Sequence, residues 1–169
     1  MVTKTATIRQ VQGISLAGRT DSNHWIVMDG PEEFGGSNAG IRPKELLLLA
    51  LGGCTASDVI SILRKKRVPL DGIDIRLTAE QTDEHPQVFT SIHIDFVLRG
   101  EHITPQDAER AIELSETKYC AVSAMLRNSV AITPLGPYRA RRRSGVSIAH
   151  RPGSLTSCST TVRSIRRRP

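Results

Sequence analysis

The chain has 169 residues, with 23 Lys and Arg against 17 Asp and Glu, five histidines and three cysteines. That length suffices for one domain with its own core, while three cysteines without a CxxC pair, beside scattered histidines, argue against a disulfide framework and against a structural zinc centre. The net charge of +6 hides a division: residues 138–169 hold nine Arg and no acidic residue, which leaves 14 basic and 17 acidic residues, a net −3, in residues 1–137.

A mildly acidic domain over 1–137 followed by a basic Arg- and Ser-rich tail over 138–169 is therefore expected, with the tail disordered. The first 25 residues alternate polar and apolar positions and show no signal-peptide core. The apolar run Leu46–Leu51 is far shorter than the ~20 residues a bilayer span needs. These features predict a soluble, cytoplasmic protein with no membrane partner.

"TATIRQVQGISLAG" and "HWIVMDG" read as short strands, with Asp29-Gly30 as a turn signal. Arg19 falls between them, near a bend at Gly18. A loop rich in Gly, Pro and Asn leads to Pro43, which suits the first turn of a helix. That helix is predicted to run to about Arg67, before Pro69. Its apolar surface is wide enough for a central helix covered on more than one side. "DGIDIRLTAEQT" and "VFTSIHIDFVL" alternate with a period of two and predict an antiparallel hairpin. Val88, Ile92, Ile94, Phe96 and Leu98 share one face of its second strand. Thr104 reads as a helix N-cap, with Pro105 at the first position and Asp107 at the third. That helix runs to about Lys118, a second short helix or a continuation of the first follows over 120–128, and "SVAITPL" reads as a last strand. The order of strands, long helix, strand pair, helices and strand predicts an α+β domain.

Two cysteines stand where a thiol can react. Cys120 opens a helical stretch, where free N–H groups and the positive dipole end favour a thiolate. Cys54 follows Gly52 and Gly53, which weaken a helix interior by about 1 kcal/mol each and so imply a close approach to the backbone. A second helix packed across them accounts for the pair as well as a ligand does. Asp58 lies one turn beyond Cys54 on nearly the same face and raises its pKa, so a cation must help form a thiolate there. Arg19 is one candidate. Equally, free cysteines are commonly buried and inert, and Arg19 reads as a solvated turn residue.

"RPKELLLLALGGCTASDVISIL", followed much later by "SETKYCAVSAML", resembles the OsmC/Ohr family of thiol peroxidases, in particular its OsmC-like branch with "GGC" and "KYC" at the two cysteines. The resemblance covers roughly residues 4–133 and stops at the tail. It implies an α+β, OsmC-like fold with antiparallel sheets around a long central helix, in an intertwined homodimer. It implies reduction of an organic hydroperoxide by Cys54 through a sulfenic acid, a Cys54–Cys120 disulfide, and recycling by an external dithiol. Arg19 matches the arginine that orients the peroxide. No metal, flavin or haem is implied. One departure matters: where the family's Ohr-type enzymes carry a glutamate that pairs with the arginine, this chain has Lys44, and Glu45 is the acidic residue beside it. That departure keeps open a redox-sensing or small-ligand-binding protein of the same fold with little turnover. Nucleic-acid binding through Arg141–Arg143 and Arg166–Arg168 is not expected, since stacking aromatics are nearly absent from the tail. Cys158 reads as an incidental exposed thiol.

Overall fold

The structure is a computed structural model that describes residues 1–134, 139–141 and 147–149. The chain first builds a three-stranded antiparallel sheet from β1 (Ala6–Gln12), β2 (Ser15–Thr20) and β3 (Trp25–Met28), in that order. The first predicted strand is thus a hairpin, turning at Gly13 with φ +54°, a conformation that glycine adopts without strain. Arg19 is correspondingly not in a bend. It lies within β2, opposite Thr7 and Trp25.

The loop after β3 is organised by one buried carboxylate, read in the sequence only as a turn. Asp29 accepts hydrogen bonds from the backbone N–H groups of Ala39 (3.0 Å), Ser37 (3.1 Å) and Gly30 (2.7 Å) and from the Ser37 hydroxyl (2.7 Å). These donors, Ala39 first, hold its pKa far below the usual carboxylate range although burial opposes them. The loop thereby delivers the chain to a 3-10 turn, Pro43–Glu45, and then to α1 (Leu46–Lys65).

One face of α1 buries Leu51, Val59, Ile62 and Leu63, each fully buried side chain of this kind contributing about 1.5–3 kcal/mol. Leu47, Leu49 and Ile60 remain exposed on the opposite face within one chain. By length and composition alone Pro43–Lys65 is long and apolar enough to cross a membrane, because Val59 to Leu63 extend the run counted in the sequence. The seating of its buried face in the core accounts for that character in a folded domain.

A second sheet forms the floor under α1. β4 (Gly72–Gln81) and β5 (Phe89–Arg99) pair antiparallel, with Leu77 opposite Ile94 and Ile75 opposite Phe96. Ile92, Ile94, Phe96 and Leu98 form the buried face, as the alternation predicts. Val88 does not join them. It precedes a register shift at the strand start and is exposed. α2 (Pro105–Leu114) begins at Thr104, whose hydroxyl accepts from the Asp107 N–H at 3.1 Å. Lys66 at the end of α1 pairs with Asp107 at 2.5 Å.

A π-helical turn, Ser115–Tyr119, joins α2 to α3 (Ala121–Leu126). β6 (Ala131–Pro134) then returns parallel to β5, because the intervening helices carry the chain back across the sheet. Two short strands from the basic tail continue this sheet: β7 (Arg139–Arg141) parallel to β5, and β8 (Ser147–Ala149) antiparallel to β7. The described pairings are antiparallel apart from those of β6 and β7 with β5, which are parallel. The other tail residues, Cys158 included, lie outside the described ones.

Candidate active site

Cys54 and Asp58 stand one turn apart on α1, as i and i+4 residues must. The π-helical turn brings the third participant to them. Its wider winding closes with the Cys120 N–H donating to the Ser115 carbonyl at 2.7 Å, and Cys120 becomes the N-cap of α3 in an extended conformation. The result joins residues 66 positions apart: Cys54 Sγ, Cys120 Sγ and an Asp58 carboxylate oxygen all lie within 4.8 Å of one another. Both cysteines are free thiols.

The two sulfurs differ in surroundings. Cys120 is buried, at 2% exposure, and Cys54 is half-buried. Burial raises the pKa of Cys120, yet the Ser123 side chain and N–H (3.4 Å to the sulfur) outweigh it, and the net shift is downward. The Ser123 hydroxyl is buried without a partner of normal hydrogen-bond geometry, so the sulfur is the acceptor within its reach. Thr55, fully buried, shares its hydroxyl between the Leu51 carbonyl at 2.9 Å and Cys120 Sγ at 3.6 Å. Cys54 moves the other way. Burial pushes its thiol up, the Val122 N–H pulls it down, and Cys120 and Asp58 add to the rise. Of the two thiols, Cys120 is therefore the one that ionises more readily. Asp58 is held by Ser115, whose hydroxyl donates to Oδ2 at 3.1 Å.

The glycine pair divides its labour. A Cβ at Gly52 would stand 2.7 Å from Leu77 Cδ1, so this glycine lets β4 approach α1, and the close packer is a strand and not a helix. Among the described residues, a Cβ at Gly53 would meet nothing within 4 Å.

Arg19 and Glu45 are engaged elsewhere in the single chain. Arg19 donates to Asn23 Oδ1 at 2.7 Å and lies 5.2 Å from the Trp25 ring centroid, on its own sheet. Glu45 Oε2 reaches back to the Arg42 N–H at 3.4 Å. Lys44 donates to Gln81 Oε1 (2.5 Å) and the Gln87 carbonyl (2.8 Å), tying the start of α1 to the β4–β5 hairpin. Sequence reasoning did not find Ser115, Thr55, Ser123 or the Val122 N–H. The spacing Cys120-x-x-Ser123 was the available signal, since a cap side chain is satisfied by the N–H three residues on.

An OsmC-like protein family model matches residues 35–134. Protein YhfA of Escherichia coli K12 is 38% identical over 131 residues, which span 76% of this chain and 92% of YhfA. Among solved structures, a hypothetical protein from Aquifex aeolicus VF5 is 28% identical with a TM-score of 0.73, covering 85% of this chain and 99% of that one. An organic hydroperoxide resistance protein OsmC from Legionella pneumophila, also described as a predicted redox protein, has a TM-score of 0.59 over 79% of this chain and 96% of its own. At 15% identity that last likeness speaks for the fold alone.

Proposed function

The chain belongs to the OsmC-like protein family, and from that premise we propose that it is a thiol-dependent organic hydroperoxide reductase. The observation that carries this reading is the approach of Cys54 and Cys120 to within 4.8 Å, with Cys54 the more accessible of the two.

In this reading the Cys120 thiolate takes the Cys54 proton as Cys54 attacks the distal peroxide oxygen. The O–O bond breaks, Cys54 becomes a sulfenic acid, and the alkoxide recovers the proton from Cys120 and leaves as an alcohol. Cys120 then attacks the sulfenic sulfur. Hydroxide departs, takes a proton from solvent, and a Cys54–Cys120 disulfide remains. An external dithiol reduces it by exchange. The sulfurs need to close to the S–S bond length of about 2.05 Å, a movement small enough for side-chain rotation to contribute much of it.

A second copy of the chain belongs to the same proposal. The first sheet exposes Ile8, Val11, Trp25, Ile26 and Val27, and α1 exposes Leu47, Leu49 and Ile60. Burying these faces together in a homodimer would carry the first sheet, and Arg19 with it, to the partner's cysteines. A cytoplasmic setting suits thiols that must be re-reduced.

Dithiol-dependent consumption of cumene hydroperoxide tests the reading. Turnover lost in Cys54→Ser is the expected result. Stoichiometric thiol oxidation without turnover would favour the second reading, a redox sensor of the same fold. What favours that alternative is the engagement of Lys44 and Glu45 away from the thiols, which leaves the usual arginine–carboxylate pair unformed within one chain.

A further inference from the structure

The cysteine pair has a third neighbour that the peroxide chemistry does not use. Asp58 sits with both sulfurs in one cluster, the three donor atoms all within 4.8 Å of one another. We propose that the reduced protein binds one thiophilic divalent cation, zinc(II) above all, through Cys54 Sγ, Cys120 Sγ and an Asp58 carboxylate oxygen.

Donor identity, spacing and support all suit such an ion. Two sulfurs and one carboxylate oxygen select zinc, cobalt or cadmium over magnesium and calcium, which take oxygen ligands. Bonds of about 2.3 Å to sulfur and 2.0 Å to oxygen in a tetrahedron put the donors roughly 3.5–3.8 Å apart. The observed separations, at most 4.8 Å, need only a small contraction. The outer partners are present as well. Ser115 Oγ donates to Asp58 Oδ2 and leaves the other oxygen for the ion, while the Ser123 N–H orients the Cys120 sulfur. Three protein donors leave a fourth tetrahedral position for water or a small ligand. The Cys54–x3–Asp58 spacing places two donors on one helical face, and the π-helical turn supplies the third from another element. Sequence reasoning looked for paired cysteines in one motif and so did not see it.

Binding occupies both thiolates at once, so the ion and the disulfide exclude each other. The proposal rests on the donor cluster and not on peroxide turnover, and its test uses no peroxide.

The reduced full chain carrying Cys158→Ser is titrated with cobalt(II), then with zinc(II) against a chromophoric chelator. The expected result is one ion per chain, with thiolate-to-cobalt charge-transfer bands and the visible absorption of a tetrahedral site. Asp58→Asn is expected to weaken zinc binding at least ~10-fold, and Ser115→Ala by a similar factor, the range typical of lost outer partners. Disulfide formation by diamide is expected to abolish binding. Cobalt bands absent from the reduced protein would overturn the proposal. So would zinc affinity unchanged in Asp58→Asn with native circular dichroism, since a site of two sulfurs alone ignores the carboxylate.

Discussion

Alanine at Gly52 and at Gly53 is expected to move stability in opposite directions. Each substitution gains about 1 kcal/mol of helix propensity. At Gly53 nothing among the described residues opposes the gain, because a Cβ there meets none of their atoms within 4 Å. Gly53→Ala is therefore predicted to raise Tm by about 2–4 °C, the shift that 1 kcal/mol brings in a domain of this size. At Gly52 the new Cβ stands 2.7 Å from Leu77 Cδ1, roughly 1 Å inside normal carbon contact of about 3.5–4.0 Å. Leu77 packs against the main core, so it must turn or α1 must lift. Overpacking of that kind costs about 1–3 kcal/mol, which leaves Gly52→Ala less stable than the parent by up to about 2 kcal/mol. Lifting α1 also draws Cys54 from Cys120 and slows disulfide formation. Thermal unfolding of the two reduced proteins by circular dichroism measures their stabilities. A Gly52→Ala protein as stable as Gly53→Ala would refute the assignment of Gly52 to the β4 contact.

Three further outcomes follow from individual residues. Glu116 is raised from 4.5 to about 7, chiefly by burial, and its Oε1 is buried without a partner among the described residues. The unfolded chain releases this proton first, so stability falls as pH rises from about 4.5 to 7. Glu116→Gln is then expected to stabilise the protein at pH 8 by 1 to about 3 kcal/mol and hardly at all at pH 4.5, as urea titrations at the two pH values will show. Thr104→Ala removes the cap of α2 and is expected to cost about 1 kcal/mol in the same assay. Lys44→Met loses the bonds to Gln81 and Gln87 and the ammonium's place 5.0 Å from the Phe89 ring centroid. Its cost is expected to stay below about 1 kcal/mol, because these groups are exposed, with thermal unfolding as the check.

The parts of the fold that depend on local pattern were legible in the sequence. Pro43 and Pro105 mark helix starts, Thr104 caps as expected, and the alternation over 72–81 and 89–99 gives the hairpin and its buried face. The cysteine pair was legible only through its resemblance to a family, since nothing local links positions 54 and 120. Errors arose where a residue serves a distant contact. Gly18 reads locally as a bend, yet its missing side chain makes room for Met28, and the actual turn is five residues earlier at Gly13. Gly52 implies a close approach that a helix or a ligand could make, and β4 is what makes it. The π-helical turn that delivers Cys120, and the Ser115 and Ser123 groups around it, depend on packing between α1 and α3 that no periodicity encodes.

Mass spectrometry of the Cys158→Ser protein after one equivalent of alkyl hydroperoxide tests the pairing of the two thiols most directly. The intact mass is predicted to fall by two hydrogens, and proteolysis is predicted to release a peptide in which Cys54 is joined to Cys120. Gain of one oxygen at Cys54, with Cys120 still open to alkylation after unfolding, would contradict the account.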